Sequence, residues 1–128
     1  MKLVIDTNAY SSANRGDSSI VKFFNSSNTL LVPTIVLGEL RAGFEHGSRS
    51  AINHRELNVF LLQPNTDILH VTEKTTVHYG EIFASLRKFG RPINTNDIWI
   101  AAICIENNLP LLTLDSDFQH IKGLRLAL

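Results

Sequence analysis

Apolar positions along the chain come in short runs, and several of those runs stop abruptly on an acid. Residues 3–5, Leu-Val-Ile, are apolar throughout, the pattern of a strand covered on both faces in a parallel sheet. Asp17-Ser18-Ser19 offers N-cap chemistry for a helix through Ile20, Val21, Phe23 and Phe24. A second strand is predicted over residues 29–32. Pro33 then opens a helix, at the first-turn position that proline favours, running to about His46. Ser48 or Ser50 is placed to cap a helix through Ile52, Leu57, Phe60 and Leu61. Pro64 and Asn65 interrupt the pattern before a third strand over residues 68–71. Thr72 caps a long helix through Val77, Ile82, Phe83 and Leu86 that ends before Gly90. Thr95 or Asn96 caps an apolar helix from Asp97 to about Glu106. A fourth strand is predicted over residues 111–114 and a short fifth over residues 124–126.

Strands alternating with helices predict an α/β fold. One domain over residues 1–128 is expected, with a central, mainly parallel sheet of four to five strands flanked by helices and joined by right-handed crossovers. Ligands of such sheets bind beyond the carboxyl ends of the strands. Asp6 and Asp115 each follow a strand directly, so both are expected on that edge.

Acids stand at four places where packing asks for none. Asp6 ends the first apolar run, although Asp6-Thr7-Asn8 also suits a turn in which Asp and Asn bond their own backbone. Glu39 falls between Ile35 and Val36 on the apolar face of its helix, at about 100° per residue. Its structural alternative is a buried pair with an arginine, Arg41 or a more distant one. Asp97 lies in the first turn of a helix that is apolar all round, where the dipole and free N–H groups favour a carboxylate in any case. Asp115 closes the fourth strand with Asp117 two residues on, and Asp115 or Ser116 can cap a short helix at Phe118. Burying unpaired carboxylates is costly, and a shared divalent cation accounts for all four sites together. Hard cations such as Mg²⁺ or Mn²⁺ take oxygen ligands. One or two such ions suit phosphodiester hydrolysis, in which a water is activated and a leaving oxygen stabilised.

Charge changes this picture little. Twelve Lys and Arg balance twelve Asp and Glu, which by itself gives no sign of a nucleic-acid partner. Setting aside Asp6, Glu39, Asp97, Asp115 and Asp117 leaves seven acids against those twelve cations, so the remaining surface permits an RNA or DNA substrate. Apolar runs are too short for a membrane span, and residues 1–6 are too short and too soon acidic for a signal peptide. With Cys104 alone, no intrachain disulfide can form, which fits a reducing cytoplasm; the residue is expected in the core.

In order along the chain stand Leu3-Val4-Ile5-Asp6-Thr7-Asn8, Val36-Leu37-Gly38-Glu39-Leu40, Asn96-Asp97-Ile98-Trp99-Ile100-Ala101-Ala102 and Leu112-Thr113-Leu114-Asp115-Ser116-Asp117-Phe118. This series resembles the PIN-domain family, and most of all the VapC-type toxins of bacterial toxin–antitoxin pairs. The likeness spans nearly the whole chain, and Arg91-Pro92-Ile93 ahead of Asn96-Asp97 adds to it. It implies a Rossmann-like parallel sheet, an endoribonuclease dependent on Mg²⁺ or Mn²⁺, a cognate antitoxin and a homodimer. By motif, Asp6, Glu39 and Asp97 match the three most regular acids. Asp115 matches the more variable fourth, and Asp117 shares or takes that role in the alternative alignment. Asp6, Asp97, Asp115 and Asp117 are then the candidate metal ligands, and Thr7, Asn8 and Thr113 match polar positions that orient the acids or a water.

Other groups carry less. The five histidines show no zinc spacing, and no glycine-rich phosphate loop is present. Arg87, Lys88 and Arg91 form a basic run upstream of Asp97. It is either a solvated helix end or an RNA phosphate contact. Arg41 either faces the same groove as Glu39 or pairs with Glu45. Phe23, Phe24, Phe44, Phe60 and Leu61 exceed an obvious core requirement, with core packing as the default and a dimer or antitoxin contact as the alternative. A response-regulator-like phosphoacceptor would want acidic neighbours beside Asp6 and a lysine after a late strand, where Lys122 fits poorly. A PIN-like binding module without activity, and a PIN-like RNA-processing nuclease without an antitoxin, stay open.

Overall fold

The sheet is built outward from β1 (Lys2–Ile5), whose Leu3, Val4 and Ile5 are fully buried because helices cover both faces. The computed structural model describes residues 1–128. β2 (Thr29–Pro33) pairs with one side of β1, with Leu3 opposite Leu30, and β3 (Thr66–Leu69) extends that edge. β4 (Leu111–Leu112) pairs with the other side, with Ile5 opposite Leu112. All pairings are parallel, in the order β3-β2-β1-β4. The helices are α1 (Thr7–Asn14), α2 (Ser18–Ser26), α3 (Thr34–Glu45), α4 (Ser50–Leu61), α5 (Glu73–Lys88) and α6 (Thr95–Glu106). A short 3-10 helix, Ser116–His120, follows β4.

From β1 the chain steps outward to β2 and β3, then crosses back to place β4 on the opposite flank. Strand order therefore reverses between β1 and β4, which makes the carboxyl ends of these two strands the crevice where this fold class binds ligands. Behind them, α6 contributes Ile98, Ile100, Ala101, Ala102, Ile103 and Cys104 to the core, and Phe118 closes it from the 3-10 helix. Each large apolar side chain so buried contributes about 1.5–3 kcal/mol. α5 packs along α6, with Tyr79 stacked on Trp99 at a centroid separation of 4.1 Å. No helix is long and apolar enough to cross a membrane.

The expected α/β domain with a parallel sheet is present, and four details differ. Residues 7–14 form a helix where the sequence pattern predicts no element and offers only an alternative turn at Asp6-Thr7-Asn8. Asp6 caps it, accepting from the Thr7 amide, and only Ala9, Tyr10 and Ser12 are buried, too few to give an apolar period. β3 begins two residues earlier than residues 68–71, because Thr66 to Leu69 stand opposite Leu30 to Pro33. β4 ends at Leu112, and the expected fifth strand reduces to one bridge between Leu111 and Leu126. Pro33 is the last residue of β2 and caps α3 without a side-chain bond, so the helix begins at Thr34. Smaller shifts place Asn94 as the cap of α6, accepting from Asn96, and Ser50 as the first residue of α4 rather than its cap.

Thr66 is buried in β3 with its hydroxyl unpaired. A buried hydroxyl without a partner is a net cost, and valine has nearly the same shape. Thr66→Val should therefore raise stability by about 1 kcal/mol in urea unfolding; a loss of stability would show that the hydroxyl is satisfied in solution.

Candidate functional site

Asp6 leaves the end of β1 and is 4 % exposed. Its Oδ1 accepts from the Thr7 amide at 2.8 Å, and its Oδ2 accepts from the Thr113 hydroxyl at 2.7 Å and the Asn8 amide group at 3.2 Å. Asn8 is itself fixed, because its Oδ1 accepts from the Leu114 amide at 2.9 Å. The Thr113 hydroxyl accepts from the Asp115 amide at 3.1 Å. β1 and the strand end after β4 are thus laced together through side chains at the point where strand order reverses.

Glu39 comes from the middle of α3. Its Oε1 accepts from the Thr7 hydroxyl at 2.7 Å, and its Oε2 from the Asn96 amide group at 3.5 Å. Asp97 enters from the first turn of α6, and Asp115 from the cap of the 3-10 helix, where it accepts from the Asp117 amide at 2.9 Å. Asp6, Glu39, Asp97 and Asp115 all line one groove of about 450 Å³, together with Thr7, Asn8, Ser11, Arg15 and Asn94; no hydrophobic residue contributes. The arginine partner considered for Glu39 is absent. The chain's one ion pair joins His54 and Glu45, so none of the four acids is neutralised by a basic side chain.

Crowding of like charges shows in the protonation equilibria. Burial, followed by the charges of Asp6, Asp115, Glu39 and Asp117, pushes the Asp97 carboxyl up to about 7 from its ordinary 3.8. Burial also raises Asp6, against the opposing hydrogen bonds from Thr113 and Thr7. The donor set suits a hard cation: the groove offers carboxylate, hydroxyl and amide oxygens, and neither thiol nor imidazole lines it. As the side chains stand, no three of them converge at metal-ligand spacing. Mg²⁺ keeps several of its waters and needs only one or two direct carboxylates, so the donor set fits an ion of that kind.

Several sequence candidates lie elsewhere. Asp117 is outside the groove lining and acts on Asp97 through its charge. Arg41 donates to His54 and Asn58 on α4, at 2.9 Å each, rather than entering the groove. Arg87 lies over the Phe83 ring, Lys88 over Phe89, and Arg91 meets His120 at 3.3 Å; none of the three lines the acidic groove. Lys122 belongs to a separate cavity with His78 and His120, which removes the phosphoacceptor arrangement. Reading the sequence missed Ser11, Arg15 and Asn94. Ser11 lies on α1 and Arg15 is its C-cap, both at helical spacing from Asn8, a signal unseen because no helix is read from the sequence over residues 7–14.

A family model described as PIN domain matches residues 3–124. Ribonuclease VapC2 of Rickettsia felis is 30 % identical, over 98 % of this chain and 96 % of its own. The crystal structure of VapBC2 from Rickettsia felis, bound to a DNA fragment from their promoter, superposes with a TM-score of 0.88 at 30 % identity, covering 98 % of this chain and 97 % of that one. VapBC-1 from nontypeable Haemophilus influenzae gives a TM-score of 0.86 at 27 % identity, covering 98 % and 96 %.

A carboxyl whose pKa is higher in the folded chain than in the unfolded one favours folding fully below the unfolded value, and that contribution fades as pH rises through the folded value. For Asp97 the window runs from about 3.8 to about 7. In excess chelator, urea unfolding should show stability falling across that window. Asp97→Asn should lack this component and exceed the wild type by roughly 1–2 kcal/mol at pH 8, after allowance for solvent screening. Parallel profiles for the two chains would contradict the assignment.

Proposed function

Because the chain belongs to the PIN domain family, we propose that it is a metal-dependent endoribonuclease and the toxin of a type II toxin–antitoxin pair, acting on RNA in the cytoplasm. The observation that carries this reading is the convergence of Asp6, Glu39, Asp97 and Asp115, without basic partners, on one polar groove at the reversal of strand order. The full-length relative from Rickettsia felis is named a ribonuclease, and the similar structures are VapBC complexes, which supports both the activity and the pairing with an antitoxin.

Asp6, Glu39, Asp97 and Asp115 would hold Mg²⁺ or Mn²⁺, one ion or two, some through waters; Asp117 is the reserve for the fourth place. A divalent ion so held supplies Lewis acidity at the phosphoryl oxygens and lowers the pKa of a water. The chain's own contribution is orientation. Thr113 and Asn8 hold Asp6 Oδ2, and Thr7 holds Glu39 Oε1, so the carboxylates face the groove without collapsing onto one another. Burial and the neighbouring acids push the Asp97 carboxyl up to about 7, and a divalent ion held beside it would favour its deprotonated form.

An antitoxin is proposed to dock on a surface nearby. Tyr10 and Ala13, on the opposite side of α1 from the acids, line an apolar groove with Val21, Phe24 and Phe60, the last three from α2 and α4. Phe23, Phe24, Phe44, Phe60 and Leu61 are partly buried against the core, as the default expectation had it, and Phe24 and Phe60 also present an edge to this groove. A homodimer is proposed on the family likeness alone.

Purified chain incubated with RNA should give fragments with Mg²⁺ or Mn²⁺ and none in excess chelator, and Asp6→Ala and Asp97→Ala should each abolish cleavage. Retention of wild-type cleavage by either variant would sink the reading. Thr113→Val removes only the hydroxyl that orients Asp6. By the usual cost of losing a group that orients a ligand, it should weaken Mn²⁺ binding about 10–100-fold in calorimetric titration; unchanged affinity would place Asp6 outside the metal site.

A further inference from the structure

The groove that gathers the acids also takes in one cation, Arg15, for which the chemistry above has no use. Arg15 is the C-cap of α1 and is exposed. With Asn8 and Ser11 it falls at i, i+3 and i+7, one polar stripe that starts beside Asp6 and runs along the groove. Its Cα lies nine positions after that of Asp6, a rise of roughly 13 Å along a helix. The side chain leans back, however, and Nη2 donates to Ser12 Oγ at 3.2 Å. Helical side chains slope toward the N-terminus in this way. The guanidinium therefore sits beside Ser12, six positions after Asp6, roughly 9 Å along the helix from that acid.

Its position is unusual for an arginine beside an acid cluster. No carboxylate is within ion-pair distance, although Asp6, Glu39, Asp97 and Asp115 share the groove with it. Asp17 feels its charge from further away, but that carboxylate is engaged by Ser19 and Ile20. Only one donor of the planar fork is engaged, by Ser12, and a guanidinium lining the groove can bind two oxygens of one phosphate.

Building on the ribonuclease reading, we propose that Arg15 is a substrate-binding residue that holds a backbone phosphate of single-stranded RNA neighbouring the one cleaved, with Ser11 lining the path between them. A backbone phosphate is common to every sequence, so this contact supplies affinity and register and does not select bases. It also resolves an electrostatic difficulty: a polyanion entering a groove of carboxylates needs a fixed cation at its mouth, and Arg15 is the one the lining provides.

The test uses the full chain in an Asp97→Asn background, with a fluorescent, random-sequence, single-stranded RNA oligonucleotide as the probe. Arg15→Gln should weaken binding roughly tenfold. It should also reduce the slope of log affinity against log salt by about 0.7, one phosphate contact on a single strand. Arg15→Lys should restore the slope and most of the affinity. In the active chain, Arg15→Gln should raise KM and leave kcat in place, as expected for a contact made equally in ground and transition states. Unchanged affinity and salt slope in an Arg15→Gln chain with wild-type thermal unfolding would overturn the proposal. So would loss of antitoxin binding with RNA binding intact, which would assign Arg15 to a protein contact. Cleavage that is indifferent to Arg15 fails this inference alone, whereas a wild-type chain that neither binds nor cleaves RNA fails the ribonuclease reading and takes this inference with it.

Discussion

Asp6 occupies a position that no core tolerates unaided: a carboxylate at the end of a strand buried on both faces, itself 4 % exposed. Desolvation of that group is opposed by three donors, the Thr7 amide, the Asn8 side chain and the Thr113 hydroxyl. Two of them require the chain to begin α1 at once after β1, so that Thr7 and Asn8 curl back over the carboxylate. The third requires β4 to end at Leu112, so that Thr113 turns its hydroxyl inward instead of continuing the ladder. Local structure at both strand ends thus answers to one acid.

The remaining acids extend the same constraint. Glu39 and Asp97 come from α3 and α6, helices whose apolar faces are anchored in the core, and each is held or crowded by polar neighbours rather than by a cation. No basic side chain relieves the repulsion among these acids, and burial together with the neighbouring acids pushes the Asp97 carboxyl up to about 7. A site that leaves its acids without basic partners gives up stability, the usual relation between a charged site and function. Arg15 lines the same groove without forming an ion pair with any of its carboxylates.

Much of this was legible in the sequence because it was written in short, strong signals. Fully apolar residues 3–5, the Asp17 and Thr72 caps and the all-apolar α6 each declared their element, and the acids stood out against those runs. What was not legible had weak local signal. α1 carries three buried positions in eight residues, and its first turn doubles as a turn motif, so its helical spacing and the groove-lining Ser11 and Arg15 went unseen. The start of β3 is set by pairing with β2, where Thr66 rather than an apolar residue meets Leu30. Arg41 illustrates the reverse error. Adjacency to Glu39 suggested the groove, but two residues along a helix turn a side chain away, and its partners are on α4.

Acids from the end of β1, from α3 and α6 and from the segment after β4 are proposed to form a single metal centre. Paramagnetic broadening of backbone amide signals on titration with Mn²⁺ tests it directly. The structure predicts that signals of Asp6, Thr7, Glu39, Asp97 and Asp115 broaden together at the lowest metal concentrations, ahead of those of Glu45, Glu73 and Asp67. Broadening that begins elsewhere, or that affects one of these segments without the others, would contradict it.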